Sequence, residues 1–95
     1  MEYEAIYVNF HAPDEKTARS LAEGIFAEGI CSTIKLTKNV RLYYPDGDKV
    51  DNAETYLITV KSVKRHLDDI EKYILANHPW GTPCIEVIPL VADHC

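Results

Sequence analysis

The stretch that decides the fold of this chain reads His78-Pro79-Trp80-Gly81-Thr82-Pro83-Cys84-Ile85-Glu86. It lies between a helical hydrophobic pattern and a short apolar segment typical of a β-strand. Each proline fixes its own φ and biases the preceding residue to extended geometry, so the segment is predicted to be a stiff loop. The single tryptophan of the chain lies between the two prolines. A rigid aromatic loop that leads into a strand is a candidate edge of a binding site.

The segments on either side of this loop predict a helix and a strand. The apolar stripe of the upstream helix consists of Val63, Leu67, Ile70 and Ile74. Ser62 precedes this stripe and is a candidate N-cap, because its hydroxyl can accept a hydrogen bond from a free backbone N–H of the first turn. Downstream, residues 84–91 are an apolar run in which Glu86 is polar, and this run predicts the last strand.

The N-terminal third predicts a strand followed by a helix. Residues 4–10 are rich in β-branched and aromatic side chains, which favour a strand. Pro13, Asp14 and Glu15 are typical of a helix start, and Gly29 is typical of a helix end. The apolar residues between them recur at helical spacing and are Ala18, Leu21, Ala22, Ile25 and Phe26.

The middle of the chain predicts a long β-hairpin. Apolar residues recur at even positions in residues 30–44, and residues 53–61 carry Tyr56, Ile58 and Val60 on one face. The segment between these strands, Pro45-Asp46-Gly47-Asp48, is a strong turn signal. The complete order of elements is therefore βαββαβ.

This order predicts an α+β, ferredoxin-like fold, in which two helices cover one face of a four-stranded antiparallel sheet. The chain has 95 residues, so we expect one domain, residues 1–95, with a single core. A strand with one wet face alternates between apolar and polar residues, but the first and last strands carry apolar residues on both faces. We therefore expect another subunit to cover the second face. The long hairpin can also extend the sheet edge of a neighbouring subunit.

Composition excludes several function classes. The formal net charge of −5 disfavours nucleic-acid binding, which depends on clustered lysine and arginine. We expect no membrane association, because no run of about 18 apolar residues is present. The acidic N-terminus does not resemble a secretory signal, and the three cysteines match neither a disulfide framework nor a C-x-x-C metal site. A cytoplasmic location with reduced thiols is the simplest interpretation.

Several local patterns together resemble the CutA family, the divalent-cation tolerance proteins. The loop is similar to the His-Pro-Tyr-x-x-Pro signature of that family. The other similar segments are Ala12-Pro13-Asp14-Glu15, Glu28-Gly29-Ile30, Leu42-Tyr43-Tyr44, Asp46-Gly47-Asp48 and Val60-Lys61-Ser62. Their order and spacing follow the family pattern over nearly the whole chain.

The chain also departs from the family pattern. The family segment Ala-Ala-Cys-Val-Asn is replaced here so that Thr33 takes the cysteine position, with Cys31 two residues earlier. Gly81 stands where a glutamate is usual, and Cys84 stands where the family has the glutamate of a Pro-Glu step. The sequence ends at Cys95, before the usual C-terminal helix, so we interpret it as a divergent and shortened relative. The ligand roles of the family cysteine and loop glutamate do not transfer to it.

The resemblance implies a homotrimer with its sheets packed inward and a role in tolerance of divalent metal ions, notably copper. It also implies that metal or a small ligand binds in clefts between subunits. Two alternatives remain open: a scaffolding trimer that binds a protein partner through its aromatic loops, and an effector-binding signalling protein like the nitrogen-regulatory PII proteins, which is a fold-level analogy.

The candidate metal ligands are His78, Cys84 and His11, because imidazole and thiolate suit copper or zinc. The competing interpretation is structural: Cys84 is a small buried residue, His78 caps the second helix, and His11 is an ordinary surface histidine.

The candidate ligand-binding residues are Lys61, Trp80 and Tyr44. Lys61 lies at a strand end and can bind an anion in a cleft, whereas a solvated lysine is the ordinary outcome. The aromatic residues suit either a pocket wall or a subunit interface. The sequence contains no obvious catalytic triad, phosphate-binding glycine loop or pair of catalytic carboxylates, so we expect no enzyme. The competing hypothesis is a small hydrolase or isomerase with His11 or His78 as a base.

Overall fold

The computed structural model describes residues 4–94. Its elements, in chain order, are β1 (Ala5–Ala12), α1 (Glu15–Ala27), β2 (Thr33–Asp46), β3 (Lys49–Val63), a 3₁₀ turn (Lys64–His66), α2 (Leu67–Asn77) and β4 (Glu86–Pro89). The strands form one sheet in the order β2-β3-β1-β4, and every neighbouring pair is antiparallel. The predicted ferredoxin-like α+β fold is confirmed.

The core lies between the helices and one face of the sheet. In β1 the even-numbered residues are buried and the odd-numbered residues are half-buried, as the two-residue period of a strand requires. The buried apolar side chains of the strands are Ile6, Val8, Phe10, Ala12, Ile58 and Val60. Those of the helices are Ala18, Leu21, Ile25, Ile70 and Ile74. The predicted α1 stripe is therefore buried only in part, because Phe26 is exposed and Ala22 is half-buried.

Helix α1 begins and ends at the predicted signals. Asp14 is the N-cap, and its side chain accepts a hydrogen bond of 2.8 Å from the backbone N–H of Thr17. Hydrogen bonds from the backbone and the side chain of Thr17 lower the pKa of the Asp14 carboxyl. At the other end, Gly29 has a φ of +70°, a conformation that costs glycine little and other residues more.

The central hairpin is longer than the sequence predicts. The two strands pair up to Asp46 and Lys49, so the turn contains only Gly47 and Asp48. A bulge lies between Thr37 and Val40, next to Asn39, whose φ is +60°. Beyond the bulge β3 pairs with β2 alone, since β1 ends opposite Tyr56. Residues 40–55 therefore form a two-stranded extension, which we call the hairpin arm.

The predicted cap of the second helix is wrong. Ser62 belongs to β3, is buried, and donates a hydrogen bond of 2.6 Å from its hydroxyl to the carbonyl of Ile30. The chain instead enters α2 through the 3₁₀ turn, and Val63 lies in β3 rather than in the helix. A buried hydroxyl needs a partner, and the Ile30 carbonyl supplies it.

The last strand is shorter than predicted, since β4 contains only residues 86–89. Cys84 precedes it and is exposed, so the interpretation of Cys84 as a small buried strand residue is wrong. The interpretation of His78 as the cap of the second helix is confirmed, because His78 is the C-cap of α2 and its N–H donates to the Ile74 carbonyl at 2.9 Å.

Candidate functional site

The face of the sheet opposite the helices carries most of the chemistry-bearing side chains. We call it the open face. Strand register places on it Ala5, Tyr7, Asn9, His11, Thr33, Lys35, Thr37, Leu57, Thr59, Lys61, Val63, Glu86 and Ile88. These side chains are half-buried or exposed in the single chain, and apolar and polar groups are mixed among them.

At one end of the open face, His78 holds the loop against β1. Its Nε2 lies 2.7 Å from the carbonyl oxygen of His11, and its Nδ1 lies 3.0 Å from the backbone nitrogen of Trp80. The Trp80 N–H can only donate, so Nδ1 accepts and Nε2 carries the proton that it donates to His11. Both ring nitrogens are therefore engaged, and His78 can ligate a metal only after giving up one of these bonds.

Aromatic packing adds to this anchor. The His78 ring lies edge-on to Phe10, with centroids 6.1 Å apart, and 4.9 Å from the Trp80 ring. Trp80 itself is exposed on its outer side. These contacts attach the loop to β1, and the loop presents an aromatic surface next to the end of that strand.

His11 differs from His78, because only one of its ring nitrogens has a hydrogen-bond partner within residues 4–94. Its Nδ1 lies 3.0 Å from the Thr55 hydroxyl oxygen, and that hydroxyl donates its only proton to the Val40 carbonyl at 2.9 Å. Thr55 must therefore accept from the Nδ1–H of His11. The neutral ring then presents an unprotonated Nε2, the form of histidine that binds a metal, and Thr55 fixes its orientation.

The environment of His11 favours the neutral form of the ring. Burial lowers the pKa of His11 below its ordinary value of 6.5, and the nearby Glu86 carboxylate opposes part of that shift. A lower pKa means that protons compete less with a metal ion for Nε2 near neutral pH.

Asn9 and Glu86 lie close to His11 on the same face. Asn9 pairs with Glu86 across β1 and β4, and His11 is two residues further along β1. The Oδ1 atom of Asn9 is buried and has no hydrogen-bond partner within residues 4–94. A buried acceptor without a partner is costly, so the amide of Asn9 is the least well satisfied polar group of this part of the open face.

The sequence-predicted metal ligands do not form a complete site in one chain. Among the residues that the structure describes, no group of three or more His, Cys, Asp or Glu side chains could hold a metal ion. Cys84 is exposed beside the loop, while Cys31 is half-buried and burial raises the pKa of its thiol.

Lys61 lies at the other end of the open face, in a cleft of about 600 Å³. It stands between Thr33 and Tyr7 on the neighbouring strands. Its ammonium pairs with the Asp93 carboxylate, and Lys35 and His66 also line the cleft. Lys35 donates to the Tyr7 hydroxyl at 3.4 Å and lies 5.1 Å from the centre of that ring.

The three candidate ligand-binding residues lie apart from one another. Tyr44 lies on the hairpin arm, where it pairs with Asp51 of β3. At the usual rise per residue of a strand, Asp51 is about 30 Å from Lys61 along β3. The Asp51 carboxylate, partial burial and Asp46 raise the pKa of Tyr44. Neither Tyr44 nor Trp80 lines the Lys61 cleft. A site that combines them needs residues from another subunit.

Three residues of these sites escaped the sequence interpretation. Thr55 orients His11 from 44 positions away, and Asp93 reaches Lys61 from 32 positions away. Such pairs leave no local pattern. Asn9 did carry a signal, since Asn9 and His11 are polar residues in a strand that otherwise consists of aliphatic and aromatic residues.

Helices within residues 4–94 are all too short or too polar to cross a membrane.

Comparison with known proteins gives one consistent result. The family model described as CutA1 divalent ion tolerance protein matches residues 6–94. The divalent-cation tolerance protein CutA of Citrobacter koseri is 34% identical over 89 residues, which cover 92% of this chain and 76% of that protein.

Solved structures of the same name have the same fold. The CutA1 of the psychrotrophic bacterium Shewanella sp. SIB1 superposes with a TM-score of 0.94 at 15% identity, covering 99% of this chain and 88% of that one. The periplasmic divalent cation tolerance protein CutA of Archaeoglobus fulgidus gives a TM-score of 0.91 at 18% identity, covering 95% and 87%. With a family model that matches almost its whole length and a relative above 30% identity, this chain belongs to the CutA1 divalent ion tolerance family.

Proposed function

We propose that this protein serves in divalent-cation tolerance as a homotrimer whose open faces pack inward and whose metal sites lie between subunits. The open face carries this proposal. It is a half-buried surface of mixed polarity with a buried, unpartnered amide oxygen, and the helices cover only the opposite face.

The hairpin arm supports assembly independently. Tyr43 and Val50 on the arm are 70% and 74% exposed, and Ile88 on the open face is 45% exposed. An isolated two-stranded ribbon is marginally stable in water, and exposed apolar patches of this kind mark subunit contacts. A neighbouring subunit that pairs with or packs on the arm removes both problems.

His11 is the best placed metal ligand in the chain. Its neutral ring is oriented by Thr55, and the exposed Glu86 supplies a carboxylate nearby on the same face. A nitrogen with oxygen donors suits copper or zinc. The remaining ligands come from a second subunit in this proposal, with the exposed Cys84 as a candidate. His78 keeps the structural role that its two hydrogen bonds give it.

The rest of the proposal concerns activity and location. The relatives are named as tolerance proteins, and we propose binding rather than catalysis for this chain. The cleft around Lys61 is large enough for a small effector. We place the protein in the cytoplasm because the number and spacing of the cysteines in its sequence are not typical of a disulfide framework, although the Archaeoglobus fulgidus relative is described as periplasmic.

Calorimetric titration with Cu²⁺ and Zn²⁺ tests the metal site. His11→Ala is expected to weaken binding by at least about tenfold, and Thr55→Val by about tenfold, because it removes the group that orients the ring. His94→Ala, in the exposed tail, is the matched control. Unchanged affinity in His11→Ala would remove His11 from the site, and absence of binding in the wild type would remove the metal proposal.

A second candidate function is recognition of a protein partner through the loop. The observation in its favour is that Trp80 is exposed yet held in place by His78. Trp80→Ala should then abolish partner capture and leave the metal titrations unchanged.

A further inference from the structure

We infer that the Lys61 cleft is a binding site for a compact oxyanion, a carboxylate or a phosphate, and that the tail of the same chain occupies it through Asp93. The inference deepens the small-ligand part of the proposed function and rests on it. It adds the chemical class of the ligand and a self-inhibiting contact.

The charges of the cleft favour an anion. Lys35, Lys61 and His66 line it, and Asp93 is the one acidic residue among its lining side chains in the described part of the chain. This basic cluster stands out in a chain whose formal net charge is −5. An incoming anion that displaces the Asp93 carboxylate takes its place beside the Lys61 ammonium, in a cleft that Lys35 also lines.

Lys61 is the centre of the site because its side chain is largely removed from water. The side chain is 13% exposed, whereas that of Asp93 is 32% exposed. An ammonium group in this position is costly without an anion beside it. The Asp93 carboxylate therefore shows which kind of group the cleft accepts.

The other walls of the cleft hold this ammonium in a defined place. Thr33 and Tyr7 flank Lys61 on the adjacent strands. The Ser32 backbone N–H donates to the Lys61 carbonyl at 2.9 Å and fixes the backbone there. The Lys35 ammonium makes a hydrogen bond and a cation–π contact with Tyr7. An ammonium group in a defined position binds a carboxylate or phosphate as a point charge, through charge-assisted hydrogen bonds.

The tail is a competitor that can be displaced. Its base is attached to the sheet, since the Leu90 N–H donates to the Ala5 carbonyl at 2.9 Å. Asp93 follows three residues later, outside any helix or strand. A carboxylate on so short a tether has a high effective concentration at Lys61, and a free anion must compete with it. A cleft of about 600 Å³ is far larger than one carboxylate, so the displacing ligand can be a whole small molecule.

Calorimetry with inorganic phosphate, and separately with succinate, tests the inference in low-chloride buffer. Asp93→Asn is expected to bind the preferred anion about fivefold more tightly than the wild type, because it removes the competing ion pair. Asp68→Asn, on the exposed face of α2, is the control. Comparing the two titrations tells a phosphate ligand from a carboxylate ligand.

Lys61→Gln is expected to abolish binding in the Asp93→Asn background. Lys35→Gln should weaken binding. Lys35 is exposed in the single chain, so this variant should keep the fold of the subunit, and the test stands even if Lys61→Gln unfolds. Lys72→Gln on α2 is the matched control. In ¹⁵N spectra of the wild type, added anion should shift the amide signals of Asp93 and His94.

Two results overturn the inference: no gain of affinity in Asp93→Asn, or equal affinity in the lysine variants and the Lys72→Gln control. Either result leaves the trimer and the metal site standing, since both are measured separately. A monomeric protein that still shows the Asp93→Asn gain would instead contradict the proposed assembly alone.

Discussion

The two faces of the sheet differ in how completely a single chain buries their side chains and pairs their polar groups. On the helix face, alternate residues of β1 are fully buried against α1 and α2. On the open face, the intervening residues are half-buried and include a buried acceptor that has no partner within the described chain. The helix face is thus complete in a single subunit, while the open face has the composition of an unfinished interface.

This difference separates stability from function. Residues of the helix face are interchangeable with other apolar side chains of similar volume, because packing is their only task. Those of the open face include histidine, asparagine, glutamate and two lysines, which are expensive to place on a half-buried surface unless something binds them. Mutations on the helix face should therefore lower the stability of the subunit, whereas mutations on the open face should weaken assembly or binding.

The largest expected effect is on the helix face. Phe10→Ala should lower the free energy of unfolding by about 3–5 kcal/mol, since Phe10 is fully buried at the centre of the core. Urea denaturation measures this. Val91→Ala, at a side chain that is 79% exposed, is the control and should change the stability by less than about 0.5 kcal/mol. Similar losses in the two variants would mean that the core is not where the structure places it.

On the open face, Ile88→Glu should dissociate the assembly and preserve the fold of the subunit. Burying an unpaired carboxylate at a subunit contact costs about 3 kcal/mol or more. Light scattering should show the fall in mass, and far-UV circular dichroism the retained fold. Leu75→Glu is the matched control, because Leu75 is also an exposed apolar residue, at 52%, but lies on α2. If Leu75→Glu dissociates the protein and Ile88→Glu does not, the interface is the outer surface of α2 and not the open face.

A smaller effect is expected at the end of α1. Gly29→Ala should cost about 1–2 kcal/mol, because Gly29 has a positive φ and an added Cβ meets no neighbour, so the penalty comes from the backbone alone. Gly81→Ala is the control, with open space around the added methyl group and no positive φ. Thermal unfolding of both variants makes the comparison. Equal losses would show that backbone strain is not the cause.

The smallest expected effect is the pH dependence that His11 contributes. Its pKa is lower in the folded protein than the unfolded value of 6.5, so the unfolded chain binds more protons as the pH falls through 6.5. This contribution therefore destabilises the folded protein on acidification and is absent above that range. His11→Gln should therefore reduce the loss of stability between neutral and mildly acidic pH, as measured by urea denaturation at both pH values. If the free energy of unfolding of His11→Gln changed with pH as steeply as that of the wild type, another group would be responsible for the pH dependence.

The sequence predicts the helix face well because its signals are local. Repeats of apolar residues at two- and four-residue spacing locate the strands and helices, and Asp14 and Gly29 locate the ends of α1. Ser62 is misassigned because the same hydroxyl chemistry serves an exposed helix cap and a buried strand bond. The length of the hairpin arm is underestimated because its polar residues give no apolar alternation.

The candidate sites are predicted less completely, since they depend on residues far apart in the chain. His11 and Lys61 are identified by residue type, but their partners Thr55 and Asp93 are not. The free nitrogen of His11 and the engaged nitrogens of His78 follow only from hydrogen-bond geometry. Residue type alone cannot rank two histidines that differ in this way.

The most direct measurement is the mass of the wild-type protein in solution, by light scattering or sedimentation equilibrium at micromolar concentration. If copies of the chain cover the open face as proposed, the mass is three times that of the 10.8 kDa chain and stays constant on dilution. A stable species of 10.8 kDa, with the open face in water, would contradict the proposed assembly and the metal sites placed between its subunits.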